Sequence, residues 1–146
     1  RSVSKVDFFE GVYNLDCKYY ENTGLTEYCK KNDILFTAYQ PLSRNRIAQK
    51  NYVFLKQLAE KYNKTQNQIM INWIVKEKEI MPLIKSTNKD RIKENIEALN
   101  FEMEKVDYET LNEFQNEKIN AIEINWNEES GVTIDQLANQ NEENHN

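Results

Sequence analysis

The run Ile84-Lys85-Ser86-Thr87-Asn88-Lys89-Asp90-Arg91-Ile92-Lys93-Glu94-Asn95 passes from an apolar strand end, through a polar turn, into a helix that carries paired cations. Such a junction suits a phosphate, because free backbone N–H groups and the positive end of the dipole gather at a helix start. Lys85 supplies a point charge at the turn. Arg91, on the new helix, offers a planar fork that grips phosphate bidentately or stacks on an aromatic base. A Lys and an Arg near a helix start serve equally well as solvated surface charges, so this stretch alone leaves both readings open.

A second segment, Ile34-Leu35-Phe36-Thr37-Ala38-Tyr39-Gln40-Pro41-Leu42, lies one strand earlier with a helical stretch between. Together the two resemble the aldo-keto reductase family, whose pattern reads Ala-Tyr-Ser-Pro-Leu after its seventh barrel strand and Pro-Lys-Ser, then Arg-Ile-x-Glu-Asn, after its eighth. This chain has Ala38-Tyr39-Gln40-Pro41-Leu42 and Ile84-Lys85-Ser86, then Arg91-Ile92-Lys93-Glu94-Asn95, in the same order and at the same spacing. The likeness runs from about Tyr13-Asn14-Leu15 through Glu27-Tyr28-Cys29-Lys30-Lys31 to the helix after Asp107. Two departures stand out: Ile84 replaces the family's Pro, with Pro82 two residues earlier, and Phe9 and Glu10 stand near the places where the family presents Asn-Gln to the nicotinamide amide.

Carried over position by position, the resemblance implies that Tyr39 stacks on a nicotinamide ring. Gln40 and Leu42 approach the pyrophosphate, and Arg44 adds a phosphate contact. Lys85, Ser86, Thr87 and Arg91 hold the 2′-phosphate of the adenosine ribose, Asn88 belongs to the same cofactor-binding turn, and Glu94 and Asn95 face the adenine. Two cations and hydroxyls around one phosphate point to NADPH rather than NADH. The bland alternatives are a Tyr39 that plugs the barrel mouth and a Glu94-Asn95 pair that is ordinary surface polarity. The family's hydride transfer uses an Asp, Tyr, Lys and His tetrad from the first half of the barrel, and the similarity here begins after those strands. No catalytic residue is therefore assigned, and this chain alone is expected to be inactive.

The fold class that follows is α/β: the C-terminal portion of a (β/α)8 barrel, with about three parallel strands alternating with helices. A complete barrel takes about 250 residues, and this sequence has 146. Residues 1–115 are expected to be the barrel part and 116–146 a C-terminal loop and polar tail. The expected partners are a nicotinamide dinucleotide and, in the complete enzyme, a small carbonyl substrate. A half-barrel also leaves strand edges open to self-association. The competing reading is thus a non-catalytic remnant that binds nucleotide or another chain.

Composition narrows the classes further. A formal net charge of −5, with Lys and Arg interspersed among Glu and Asp, argues against nucleic acid. No apolar run is long enough for a membrane span and no signal-peptide pattern opens the sequence, so a cytoplasmic protein is expected. Cys17 and Cys29 have no Cys-x-x-Cys spacing, and the single histidine, His145, sits in the tail, so no metal site is expected. Cys29, inside the Leu25-Tyr28-Cys29 stripe, reads as a core residue.

The positioning elements follow from periodicity. Val6 to Tyr13 reads as a strand, Leu25 to Lys31 as a helix ending at Asn32 in a left-handed cap, and Ile34 to Tyr39 as a buried parallel strand. Asn51 to Tyr62 carries Phe54, Leu55, Leu58 and Tyr62 at helical spacing. Thr65-Gln66-Asn67-Gln68 predicts a capping box ahead of a stripe of Ile69, Met70, Trp73 and Ile74. Ile80 to Ile84 reads as the next strand, Ile92, Ile96 and Leu99 as one helix face, and Asp107 as an N-cap with Val106 stapled onto Leu111. From about Asn116 only a weak apolar patch and Trp126 interrupt polar chain, and the tail Asn139 to Asn146 is expected to be disordered.

Overall fold

A computed structural model of the chain describes residues 8–116. Three strands, β1 (Phe8–Val12), β2 (Leu35–Tyr39) and β3 (Met81–Pro82), form one parallel sheet in the order β1-β2-β3. Phe8 faces Leu35 and Val12 faces Tyr39, while Thr37 faces Met81 and Ala38 faces Pro82. Parallel neighbours in chain order, each reached through helices, are the repeating unit of a (β/α)8 barrel. Among the described residues, β1 and β3 each pair on one side only, so the sheet is open.

β2 is the central strand, and Phe36, Thr37 and Ala38 are buried while its ends are exposed. β3 is shorter than the expected Ile80–Ile84. Pro82 has no N–H to give the ladder; the Leu83 N–H donates to the Ala38 carbonyl at 2.9 Å, and the backbone then leaves the sheet.

Seven α-helical segments surround the sheet among the described residues: α1 (Tyr19–Asn22), α2 (Leu25–Lys31), α3 (Arg46–Gln49), α4 (Val53–Tyr62), α5 (Gln66–Asn72), α6 (Lys89–Glu97) and α7 (Lys105–Glu113). α2 covers the expected residues, but its end differs. Asn32 keeps a negative φ and donates its side-chain amide to the Tyr28 carbonyl at 2.8 Å, so the left-handed residue is Asp33 (φ 55°). α5 opens on the predicted capping box: the Gln68 N–H donates to Thr65 Oγ1 at 3.1 Å and the Thr65 N–H to Gln68 Oε1 at 3.0 Å. It runs into a π-helical turn, Trp73–Glu77, and Ile69, Met70, Trp73 and Ile74 are all buried.

Two helix readings are corrected. α7 is capped at Glu104, one residue before the helix, and Asp107 lies inside the first turn. Its buried carboxylate accepts from Lys61 Nζ at 2.8 Å and from the Tyr62 hydroxyl, which draws it into a tertiary contact in place of a cap. Val106 is exposed while Leu111 is buried, so no staple forms. Ile92 and Ile96 of α6 and Leu99, just past its end, do line one groove, but they are 41, 62 and 42 % exposed.

The core joins the sheet to α4, α5 and α7 through Tyr13, Phe36, Ile47, Leu55, Ile69, Trp73 and Leu111. Tyr13 and Trp73 stack at 5.8 Å between ring centroids. Two polar groups lie inside it with their partners, as buried polar groups must. Lys18 Nζ donates to the carbonyls of Leu111 at 2.6 Å and Phe114 at 2.5 Å, pinning the end of α7. Asn72 donates to the Ala98 and Phe101 carbonyls and accepts from the Tyr108 hydroxyl at 2.6 Å. Cys29 is buried as expected, and burial pushes its thiol pKa up. The readings made for Val6, Trp126 and the polar tail lie outside the described residues.

Candidate functional site

The ends of β2 and β3 open side by side, which is where a parallel sheet presents its ligand-binding loops. β2 delivers Tyr39, 40 % exposed, and the chain then turns through Gln40 at φ 52°. Ser43, Arg44 and Asn45 follow at φ 50°, 56° and 68°, three successive left-handed residues without a glycine. Such backbone costs about 1–2 kcal/mol per residue, and local bonds hold it. The Ser43 N–H donates to the Gln40 carbonyl and the Asn45 N–H to the Leu42 carbonyl, both at 3.0 Å. Asn14, after β1, donates its side-chain amide to the Gln40 carbonyl at 3.1 Å, tying the β1 and β2 loops together.

Between this loop and the segment after β3 lies a cavity of about 670 Å3. From the first motif it gathers Tyr39, Gln40, Leu42 and Arg44. From the second it gathers Lys85, Ser86, Arg91, Glu94 and Asn95. The two segments, separated by α3, α4 and α5 in the chain, thus face one space. Thr87 and Asn88 are not in its lining.

Asn88 has a different task. Its Oδ1 accepts from the N–H groups of Asp90 at 2.9 Å and Arg91 at 3.4 Å, capping α6, and its own N–H donates to Ser86 Oγ at 3.2 Å. The helix-start amides that could face an anion are therefore partly spent on this cap, and the positive character of the wall comes from the side chains. Among the described residues, Lys85, Arg91 and Arg44 stand in no ion pair, and the one carboxylate that borders the cavity with these three cations, Glu94, is bonded to the Thr65 hydroxyl.

Glu94 is also committed. The Thr65 hydroxyl donates to Glu94 Oε1 at 2.6 Å and Gln68 Nε2 to the Glu94 carbonyl at 2.9 Å, so α5 and α6 are locked together at this wall. The sequence reading missed Asn45 and Asn67, which also line the space; Asn67 Nδ2 donates to Asn45 Oδ1 at 2.8 Å. The one available signal was Asn45 itself, since Asn tolerates the left-handed region better than other non-glycine residues. Among the described residues, no group of three His, Cys, Asp or Glu side chains could hold a metal ion, and no helix is long and apolar enough to cross a membrane.

The Aldo/keto reductase family model matches residues 1–116. The chain is 34 % identical over 101 residues to the 9,11-endoperoxide prostaglandin H2 reductase of Trypanosoma cruzi, covering 68 % of this chain and 35 % of that protein. It is 26 % identical over 131 residues to the NADPH-dependent alpha-keto amide reductase of Saccharomyces cerevisiae, covering 86 % and 39 %. The chain thus spans little more than a third of the length of these curated relatives. Among solved structures, an aldo-keto reductase from a deep-sea metagenome library superposes with a TM-score of 0.65 at 27 % identity, over 75 % of this chain and 39 % of that one. A Bombyx mori aldo-keto reductase in complex with NADP gives a TM-score of 0.62 at 25 % identity, over 75 % and 37 %.

Proposed function

The chain belongs to the aldo/keto reductase family, and we propose that residues 8–116 hold the cofactor of an NADPH-dependent reductase acting on aldehydes or ketones. The observation that carries this reading is the shared cavity. Two sequence-distant motifs, Tyr39-Gln40-Pro41-Leu42 and Lys85-Ser86 with Arg91, line one space whose cations have no carboxylate partners.

In this reading Tyr39 offers a ring, 40 % exposed, against which a nicotinamide stacks. Gln40, Leu42 and Arg44 hold the pyrophosphate, and Lys85, Ser86 and Arg91 hold the ribose 2′-phosphate through charge-assisted bonds, with Thr87 next to them in the chain but outside the cavity lining. Asn88 contributes by fixing the first turn of α6, which carries Arg91. Glu94 holds α5 against α6, and with Asn95 it forms the wall beside the base. NADPH, when bound, supplies the hydride to the carbonyl carbon. The proton must come from an acid that the family places on strands preceding this part, so the chain alone reduces no carbonyl.

A second reading, an interaction module, is favoured by one observation. Leu35, Val75, Met81, Ile92, Ile96 and Leu99 line an apolar groove beside the open edge of β3, and such an edge invites pairing with another chain. Fluorescence titration with NADPH and with NADH separates the readings. We expect saturable binding with NADPH about tenfold or more tighter, in line with one lost charge-assisted contact. Equal, non-saturating signals with both would reject the cofactor reading.

A further inference from the structure

The chain from Gln40 to Tyr52, which carries Arg44 between β2 and α4, is held at both of its ends by one short segment after β1. At its start, Asn14 Nδ2 donates to the Gln40 carbonyl at 3.1 Å. At its end, the Asp16 carboxylate accepts from Lys50 Nζ at 2.5 Å and from the Tyr52 hydroxyl at 2.8 Å. The holding segment is itself fixed. Asn14 Oδ1 accepts from the N–H groups of Asp16 at 2.9 Å and Cys17 at 2.7 Å, and the Asn14 N–H donates to the Cys17 carbonyl at 3.1 Å. Those bonds occupy the amide oxygen of Asn14 and turn its NH2 toward Gln40. Asn14 and Asp16 are both buried, and neither lines the cavity.

What is held in this way is strained backbone. Gln40, Ser43, Arg44 and Asn45 all have φ between 50° and 68°, and such conformations persist only where the surrounding structure over-determines them. The bonds within the turn set its shape, while its place beside the cavity is set by bonds to other elements. Asn67 of α5 holds Asn45, and the segment after β1 holds the two ends. The Tyr52 ring extends the hold at the far end by packing on Phe54 and Phe114, with centroids 5.7 and 5.0 Å away. We infer that Asn14 and Asp16 are positioning residues of the cofactor site: they clasp both ends of this loop and so keep Arg44 at the cavity without touching the ligand. A loop ordered before the ligand arrives costs no ordering entropy on binding. Opening the clasp lets the left-handed run relax and Arg44 leave its place, which weakens the hold on the pyrophosphate. NADPH and NADH share that group, so both lose equally, and the wall bearing Lys85 and Arg91 keeps its preference between them.

This inference rests on the proposed cofactor reading, and the test separates the two. The 146-residue chain is titrated by fluorescence with NADPH and with NADH as the wild type, as Asp16→Asn, as Arg44→Ala and as the double variant. Asp16→Asn is expected to weaken both dinucleotides about fivefold, the scale of residues that act on a site without contacting its ligand, and to leave their ratio unchanged. In the Arg44→Ala background the same substitution should have almost no further effect, because the side chain it positions is gone. A residue that only stabilised the fold would act equally in both backgrounds. Circular dichroism shows whether each variant is folded; if Asp16→Asn is not, Tyr52→Phe removes one of the two bonds, keeps the ring, and takes its place in the cycle. Wild-type affinity in the variant, or an equal loss in both backgrounds, overturns the inference while leaving the cofactor site in place. Binding of neither dinucleotide to the wild-type chain overturns both.

Discussion

At the scale of single residues, the site and the scaffold use charge in opposite ways. Arg44, Lys85 and Arg91 keep theirs unspent at a cavity wall, whereas Asp107 spends its own inside the fold. Burial alone raises the Asp107 carboxyl pKa, but the Lys61 ammonium and the Tyr62 hydroxyl outweigh it and hold the group below the usual carboxylate value. A depressed folded pKa stabilises above the unfolded value and is lost as pH falls through the folded one. Urea unfolding should therefore show stability declining below the ordinary carboxylate range, and Asp107→Asn should flatten that decline while costing about 1–2 kcal/mol near neutral pH. An unchanged pH profile in the variant would show that Asp107 is not the group responsible. Nothing in the sequence disclosed this role, because its partners Lys61 and Tyr62 lie more than forty residues away and a lone Asp before an apolar run looks like a cap.

At the scale of elements, local chemistry was legible wherever it closed on itself. The Thr65-Gln68 box formed as written, since both bonds lie within four residues. Replacing Thr65 by Ala should cost about 1 kcal/mol from the cap, and more if the Thr65–Glu94 bond between α5 and α6 contributes, as a urea midpoint would register. A smaller loss than the cap alone would mean that α5 is held by packing of Ile69, Met70 and Trp73 and not by its start. The shortness of β3 was less legible: Ile80 to Ile84 has strand composition, but Pro82 withholds a ladder donor and the chain departs at Leu83. The run of left-handed residues at Ser43–Asn45 was not legible at all, because no glycine marks it and the bonds that hold it are tertiary or within the turn.

At the scale of the whole molecule, strand–helix alternation was enough to predict parallel strands in chain order, and the sheet follows that order. What alternation could not disclose is the state of the surfaces. Ile92, Ile96 and Leu99 have core spacing, and only the structure shows them facing an open groove beside the edge of β3. Exposed apolar surface of this kind together with an open edge should drive association. Sedimentation at rising concentration is expected to show dimers or larger species, reduced by Ile96→Glu or by Met81→Lys; a compact, cooperatively folding monomer would contradict this. The two cofactor motifs were legible as a pair because their order and spacing are properties of the chain, while Asn67 was hidden because a capping box explains its neighbours without it.

The central claim is that the wall bearing Lys85 and Arg91 reads a ribose 2′-phosphate. The most direct test is the ratio of NADH to NADPH dissociation constants for the wild-type chain and for Arg91→Ala, measured side by side by fluorescence titration. The account predicts a ratio of about ten or more in the wild type that falls toward one in the variant, with NADH affinity nearly unchanged. A ratio that is the same in both proteins would contradict it.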